Sequence, residues 1–134
     1  MTTATTKIAI IGAAGRMGRR IAALAAENNA FDIVCATEYS ESPDLGRDVG
    51  ELAGVGTLGV ELTDELVGDK PDVAIDFSLP DGTMKFIGPC RDAGIAMVIG
   101  TTGLTADQEA EIDEAAKVIP IVKAGNYSMG ITLL

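Results

Sequence analysis

The chain contains no histidine and no tryptophan among its 134 residues. Histidine is the most common general acid or base in enzymes, so any proton transfer would fall to another residue type or to another part of the protein. Only two cysteines are present, Cys35 and Cys90, both in apolar surroundings and without C-x-x-C spacing. We therefore expect buried free thiols, a reducing and cytoplasmic location, and no metal site, with a disulfide as the alternative.

Basic residues are scarce, since ten Lys and Arg stand against twenty Asp and Glu and the formal net charge is −10. This charge argues against nucleic acid or an anionic membrane as a partner, and it means that an anionic ligand must be held by local donors. Long apolar runs are absent, so no membrane span is expected. Residues 1–6 lack the basic start and the cleavage pattern of a signal peptide, and we interpret them as a disordered lead-in.

Strand-like and helix-like segments alternate over residues 7–127. This order predicts one α/β domain of the Rossmann type: a doubly wound, mostly parallel sheet of about six strands with helices on both faces. The predicted strands are 7–11, 32–37, 58–62, 72–77, 95–99 and 119–122. The predicted helices are 16–28, 80–92 with a kink or break at 88–89, and 105–117 behind a capping box. Residues 63–66 are predicted as one helical turn, and 39–59 as a mobile loop.

Three glycines follow the first predicted strand at a G-x-x-G-x-x-G spacing: Gly12, Gly15 and Gly18. Strand, tight turn and helix in this order place free backbone N–H groups and the positive end of a helix dipole where a pyrophosphate can bind. Gly12 permits the turn, Gly15 lets a phosphate approach, and Gly18 lets the helix pack close to the strand. Glu38 follows the second strand, where a carboxylate meets the ribose hydroxyls of a dinucleotide. A dinucleotide site is therefore predicted.

Four segments lie at the carboxyl ends of predicted strands, the edge at which doubly wound sheets bind ligands: 12–18, residue 38, 100–103 and 124–128. Each also has a simpler interpretation. The glycine turn could serve packing alone, Glu38 and Arg16 could be solvated surface charges, residues 100–103 an ordinary loop, and Asn126 a turn residue. The convergence of all four on one edge favours binding.

The sequence resembles a known family at five places, which are IIGAAGRMG at 10–18, Glu38, DFSLP at 76–80, GTTGL at 100–104 and AGNYSMG at 124–130. It is similar there to the amino-terminal half of 4-hydroxy-tetrahydrodipicolinate reductase, also called dihydrodipicolinate reductase, of bacterial lysine and diaminopimelate synthesis. The matching segments span nearly the whole chain in the family's order. Those at 100 and 124 are far more diagnostic than the glycine spacing.

The resemblance implies NADH or NADPH as cofactor and a hydride transfer to the cyclic imine product of dihydrodipicolinate synthase. Glu38 would bind the adenosine ribose, and Tyr39 stands where some members carry an arginine suited to a 2′-phosphate, which favours NADH. The residues implied for the pyrophosphate are Gly12, Ala13, Ala14, Gly15, Arg16 and Met17. Those implied for the nicotinamide are Gly100, Thr101, Thr102, Ala124, Gly125, Asn126 and Tyr127, with Thr102 also facing the substrate.

The resemblance also implies that a second domain carries the family's catalytic histidine pair, its lysine and the sheet that forms a homotetramer. Residues 128–134 would begin the connection to it. We therefore expect no catalytic residue and no reductase activity in this chain alone, and a small dicarboxylate substrate for the full-length protein. One alternative is a stand-alone NAD(H)-binding or regulatory module. Another, an aspartate-semialdehyde-type dehydrogenase, is discounted because Cys90 lies inside a predicted helix.

Overall fold

The computed structural model describes residues 5–124, in which six strands form one sheet. The strands are β1 (Thr6–Ile11), β2 (Phe31–Thr37), β3 (Leu62–Thr63), β4 (Val73–Asp76), β5 (Ala96–Ile99) and β6 (Ile121–Lys123). The helices are α1 (Arg16–Ala26), α2 (Val49–Ala53), α3 (Pro80–Ala93) and α4 (Ala106–Ala115). Neighbouring strands pair in parallel in the order β3-β2-β1-β4-β5-β6. The prediction of a doubly wound Rossmann-type fold is confirmed.

Helices cover both faces of the sheet. Successive side chains of each strand point to opposite faces, so each strand contributes to two cores. Ile8 and Ile10 of β1 pack with α1 and α2, whereas Ala9 and Ile11 pack with α3 and α4. Two helices therefore lie on each face. This double burial explains why the strands are continuous apolar runs rather than alternating ones.

The strand order reverses between β1 and β4, which are neighbours in the sheet although β2 and β3 separate them in sequence. The loops that follow these two strands meet at that point, since a methyl group placed on Gly12 would lie 2.9 Å from the Cα atom of Ser78. In open α/β sheets the crevice at such a reversal, beyond the carboxyl ends of the strands, is where ligands bind.

The segment 39–59 contains a helix, so its assignment to a mobile loop was wrong. Asp48 caps α2 by accepting hydrogen bonds from the backbone N–H groups of Gly50 and Glu51, and Gly54 ends the helix with a φ of +80°. The same carboxylate accepts three further N–H groups, from residues 58–60. One side chain therefore organises residues 48–60.

Two smaller predictions were also wrong. Residues 63–66 form no helical turn, because Thr63 completes β3 beside Thr37 and its hydroxyl donates to the carbonyl of Glu65 at 2.8 Å. Of the kink or break predicted at 88–89, the break is absent, since helix α3 continues past Pro89 to Ala93. Buried residues on either side of the proline, among them Cys90, keep this part of the helix packed on the sheet.

The remaining predicted elements are present, with ends shifted by one or two residues except at β3. Strand β1 begins at Thr6, within the segment assigned to the lead-in. The capping box of α4 is confirmed, with Thr105 and Gln108 each accepting the other's backbone N–H. Residues 128–134, assigned to an interdomain connection, lie outside the described residues.

Candidate functional site

The amino terminus of α1 presents backbone donors without acceptors. Gly15 is the N-cap residue, and no side chain among residues 5–124 caps the helix. Arg19 donates the first helical hydrogen bond, to the carbonyl of Gly15 at 2.9 Å, so the N–H groups of Arg16, Met17 and Gly18 have no acceptor within the described chain. Such donors at the positive end of a helix are suited to bind an anion.

The glycine loop uses its other donors internally. Gly12, whose φ is +84°, and Ala13 both donate to the carbonyl of Thr37 at 3.0 Å, and Gly15 donates to the carbonyl of Gly12. The N–H of Ala14 donates to the Glu38 carboxylate. Of the residues 12–17 predicted to contact a pyrophosphate, only Arg16 and Met17 therefore keep their backbone N–H groups free.

Gly15 and Gly18 are glycines for different reasons. A methyl group on Gly18 would overlap the carbonyl oxygen of Gly12 and lie 2.8 Å from the Cα atom of Ala13, so the fold itself requires glycine there. A methyl group on Gly15 would meet nothing closer than the Gly12 oxygen at 3.4 Å, and its φ of −74° suits any residue. Gly15 is exposed to solvent, and the free N–H groups belong to the residues that directly follow it in the chain.

Glu38 joins the ends of β1 and β2. Its Oε2 accepts the N–H of Ala14 at 2.9 Å, and its Oε1 accepts the N–H of Tyr39 at 3.3 Å. The side chain is only half-buried, so both oxygens keep acceptor capacity toward solvent. The carboxylate is thereby oriented at the position where the sequence predicts ribose hydroxyls.

Arginine side chains also lie near the glycine loop. Arg19 donates from Nε to the carbonyl of Ala14 at 2.7 Å, which places a cation beside the Glu38 contact. Arg16 is exposed at the start of α1 and makes no ion pair within the described residues. Arg47 is paired with Asp44 at 3.0 Å. Sequence spacing had drawn attention to Arg16 but not to Arg19.

The second half of the site lies at the carboxyl ends of β4 and β5. Gly100 donates to the carbonyl of Asp76 at 2.7 Å, and a methyl group on Gly100 would overlap the ring of Phe77. Thr101 is buried, whereas Thr102 is exposed and available to a ligand. Gly100 therefore lies tightly against the end of β4 and the residue that follows it.

Buried polar side chains lie around this loop, and one of them, Thr83, was not singled out from the sequence. Thr83 of α3 is fully buried, and its hydroxyl donates to Oγ1 of Thr101 at 2.7 Å. Asp76 is also fully buried; its Oδ1 accepts both the N–H and the hydroxyl of Ser78, at 2.8 and 2.6 Å. The Thr83–Thr101 contact joins residues 18 positions apart, so no local spacing could have revealed it.

A small cavity of about 140 Å³ opens beside Thr102 and reaches Lys123 at the end of β6. The ammonium group of Lys123 lies 3.0 Å from carboxylate oxygens of both Glu109 and Asp113. Hydrogen bonds to Asp113 and then Glu109 raise the pKa of Lys123. Two carboxylates thus neutralise this cation, which makes it a link between β6 and α4. The neighbouring Ala124 donates to the carbonyl of Ile99 at 2.6 Å.

Both cysteines are free and buried. Burial, followed by the charge of Asp76, raises the pKa of Cys90 to about 11. A thiol in that state is neither ionised nor accessible, so Cys90 is unsuited to the nucleophile role that a semialdehyde dehydrogenase would need.

A cavity of about 390 Å³ lies beside α2, where its lining includes the carboxylates of Asp48, Glu51 and Glu61 and none of the predicted cofactor residues.

Within residues 5–124 no group of Cys, Asp and Glu side chains is arranged to hold a metal ion. In the same part of the chain, no helix has the length and apolar character that crossing a membrane requires. Gly125, Asn126 and Tyr127 lie outside the described residues.

Comparisons with known proteins agree with this architecture. Two curated relatives are 4-hydroxy-tetrahydrodipicolinate reductases. That of Acinetobacter baumannii (strain AYE) is 48% identical over 132 residues, covering 97% of this chain and 48% of the relative. That of Alkalilimnicola ehrlichii is 47% identical over 131 residues, covering 96% and 49%. The chain therefore spans about half the length of the curated relatives it matches.

A solved structure supports the same fold. The dipicolinate-bound dihydrodipicolinate reductase from Paenisporosarcina sp. TG-14 superimposes with a TM-score of 0.69 at 23% identity, over 93% of this chain and 49% of that one. The family described as "Dihydrodipicolinate reductase, N-terminus" matches residues 6–127. The chain therefore belongs to the dihydrodipicolinate reductase family, whose amino-terminal domain it carries.

Proposed function

We propose that this chain binds a nicotinamide dinucleotide, with the pyrophosphate at the amino terminus of α1. The observation that carries the proposal is the open space over Gly15. A Cβ atom there would lie no closer than 3.4 Å to another heavy atom, yet the residue is glycine, and the next two residues, Arg16 and Met17, have unpaired N–H groups. A phosphate can approach the backbone only where no side chain intervenes.

The adenosine ribose would bind Glu38, whose carboxylate is already oriented by Ala14 and Tyr39. A 2′-phosphate at the same place would meet a like charge, so we propose a preference for NADH over NADPH. Tyr39 is exposed and offers no positive charge to compensate. Arg19 is the cation that could offset this preference, since its guanidinium already lies against the Ala14 carbonyl.

The nicotinamide would lie beyond β4 and β5, bordered by Gly100, Thr101 and Thr102 together with residues 124–127. The exposed Thr102 would also face the substrate. The hydroxyl of Thr101 is already bound to Thr83, so Thr101 would act through its backbone. When bound, NADH or NADPH supplies the hydride, and the residues of this chain hold its ring in place.

In the full-length protein this half would serve a 4-hydroxy-tetrahydrodipicolinate reductase, which reduces a cyclic imine in lysine and diaminopimelate synthesis. The names of the relatives, which are about twice as long, support this proposal. The proton donor, the pocket for the small dicarboxylate and the contacts of a homotetramer would belong to a second domain. The buried free thiols fit a cytoplasmic location. A stand-alone NAD(H)-binding module is the alternative, and it would bind cofactor without supporting any reductase.

Titration of the chain with NADH, followed by calorimetry, tests the proposal. We expect a single saturable site. A chain that releases or absorbs no heat and shows no change in NADH fluorescence over the same range does not bind the cofactor, and the proposal would then be wrong.

A further inference from the structure

We propose that Thr83 is a positioning residue for the nicotinamide half of the site. Its hydroxyl holds the loop 100–102 in the conformation that receives the nicotinamide ring. The inference rests on the proposed function. It assigns a role to a side chain on α3 that lies behind the loop. Thr83 is fully buried, so it cannot touch a ligand itself.

The first support is the geometry of the pair. Oγ1 of Thr83 and Oγ1 of Thr101 lie 2.7 Å apart, and Thr101 is only 6% exposed. A hydroxyl pair shielded from water is sensitive to loss of either member, because the remaining group would be left buried without a partner. The pair also joins residues 18 positions apart, which links helix α3 directly to the loop after β5.

The second support is how few hydrogen bonds hold the loop beyond Gly100, although Leu104 at its end packs against the core. Gly100 itself is fixed by its hydrogen bond to Asp76 and by the ring of Phe77. Among the hydrogen bonds within residues 5–124, the Thr83 contact is the one that fixes residues 101–104 to another element. Thr102 is exposed, and Gly103 has a φ of +81° with no neighbouring atom within 4 Å of where its side chain would be.

The third support is the position of the pair relative to the two halves of the dinucleotide. Thr83 and Thr101 lie on the β4–β5 side of the reversal in strand order, whereas Gly15 and Glu38 lie on the β1–β2 side. Loss of the hydroxyl should therefore loosen the nicotinamide contacts and leave those of the adenosine half intact. A general loss of stability would weaken both halves together.

The experiment compares two ligands on the 134-residue chain: NADH, and ADP-ribose, which lacks the nicotinamide ring. In Thr83→Val, which keeps the shape and removes the hydroxyl, we expect NADH binding to weaken by about tenfold and ADP-ribose binding to change by less than about twofold. Thr83→Ser restores the hydroxyl and should restore NADH affinity. Thr101→Val removes the other member of the pair and should show the same division between the ligands, so the test remains even if one variant folds poorly.

Thr57→Val is the control. It removes a hydroxyl that donates to the Glu51 carboxylate at 2.6 Å, away from the predicted cofactor residues, so both affinities should stay unchanged. The inference is overturned if the two valine variants at the pair leave the ratio of NADH to ADP-ribose affinity unchanged, or if the wild-type chain binds the two ligands equally well. A wild-type chain that binds neither ligand overturns the proposed function and this inference with it.

Discussion

The Oε2 atom of Glu38 accepts the backbone N–H of Ala14 at 2.9 Å, so the residue that follows β2 is tied to the loop that follows β1. The contact fixes the direction of the carboxylate before any ligand arrives. Because an ionised carboxylate has about four acceptor positions, the hydrogen bonds to Ala14 and Tyr39 leave room for two ribose hydroxyls.

This orientation predicts that the chain binds NADH more tightly than NADPH, since a 2′-phosphate would face the Glu38 charge. The ratio of the two dissociation constants measures the preference. Glu38→Gln removes the charge and should shift the ratio toward NADPH by about tenfold. Glu41→Gln is the matched control, because Glu41 is exposed on the same segment and its charge should not matter. A wild-type preference for NADPH would show instead that Arg19 or Arg16 reaches the phosphate.

The two later glycines of the loop should respond in opposite ways to alanine. Gly18→Ala should lower the free energy of unfolding by about 1–3 kcal/mol, because the new methyl group overlaps the Gly12 carbonyl and the backbone must shift. Gly15→Ala should change it by less than about 1 kcal/mol, since the site has space and an ordinary φ. Denaturant unfolding of both variants checks this prediction. Equal losses would show that Gly15 is also required by the fold.

Asp48 should be the most important single carboxylate for the stability of segment 48–60, because five backbone N–H groups donate to it. Asp48→Asn replaces one acceptor oxygen by a donor, and we expect a loss of about 1–2 kcal/mol at pH 7. Asp32→Asn is the matched control, because Asp32 is exposed on β2 and its side chain makes no hydrogen bond within the described residues. Chemical denaturation at pH 7 measures both.

The contribution of Asp48 should also depend on pH. Partial burial raises the pKa of Asp48, but the backbone hydrogen bonds to the charged form outweigh it and lower the pKa below the ordinary value. A depressed folded-state pKa contributes stability that is complete above about pH 4 and disappears as the pH falls through the folded pKa. The difference between wild type and Asp48→Asn should therefore shrink in acid. A difference that stays constant from pH 7 to pH 3 would contradict this account.

The chain alone should show no reductase activity on the cyclic imine. Reduction needs a proton donor beside the substrate as well as a positioned hydride source, and this sequence has no histidine and a net charge of −10, which disfavours a dianionic substrate. A chimera that joins residues 1–134 to the carboxyl-terminal half of the Acinetobacter baumannii relative should regain cofactor-dependent turnover. Turnover by the purified chain without that half would show that catalysis resides in the residues present.

Most of the fold follows from the sequence because apolar strands alternate with amphipathic helices over a full domain. The exceptions have a common physical cause. Helix α2 has five residues, too few for a visible period, and it depends on Asp48 accepting N–H groups from residues 58–60 as well as from its own first turn. Thr63 joins a sheet edge two residues long, which local propensity does not reveal. In both cases contacts between separate segments decide the structure.

The site was predictable as a set of segments but not as a set of donors and acceptors. Glycine spacing indicates the turn, yet only the folded structure reveals that Gly12 and Ala13 donate to Thr37 and that the free N–H groups begin at Arg16. Likewise the GTTG segment indicates a loop, while the burial of the Thr101 hydroxyl against Thr83 depends on how α3 packs on the sheet.

The most direct test of the central claim is NADH binding by Gly15→Val. A branched side chain at this exposed position would keep a phosphate from approaching the free N–H groups of Arg16 and Met17, while its Cβ atom would lie no closer than 3.4 Å to another heavy atom of the protein. Calorimetric titration, with the thermal unfolding midpoint measured alongside, should show no detectable NADH binding and a midpoint close to that of the wild type. An unchanged affinity in this variant would show that the pyrophosphate does not bind over Gly15 and would contradict the assignment of the site.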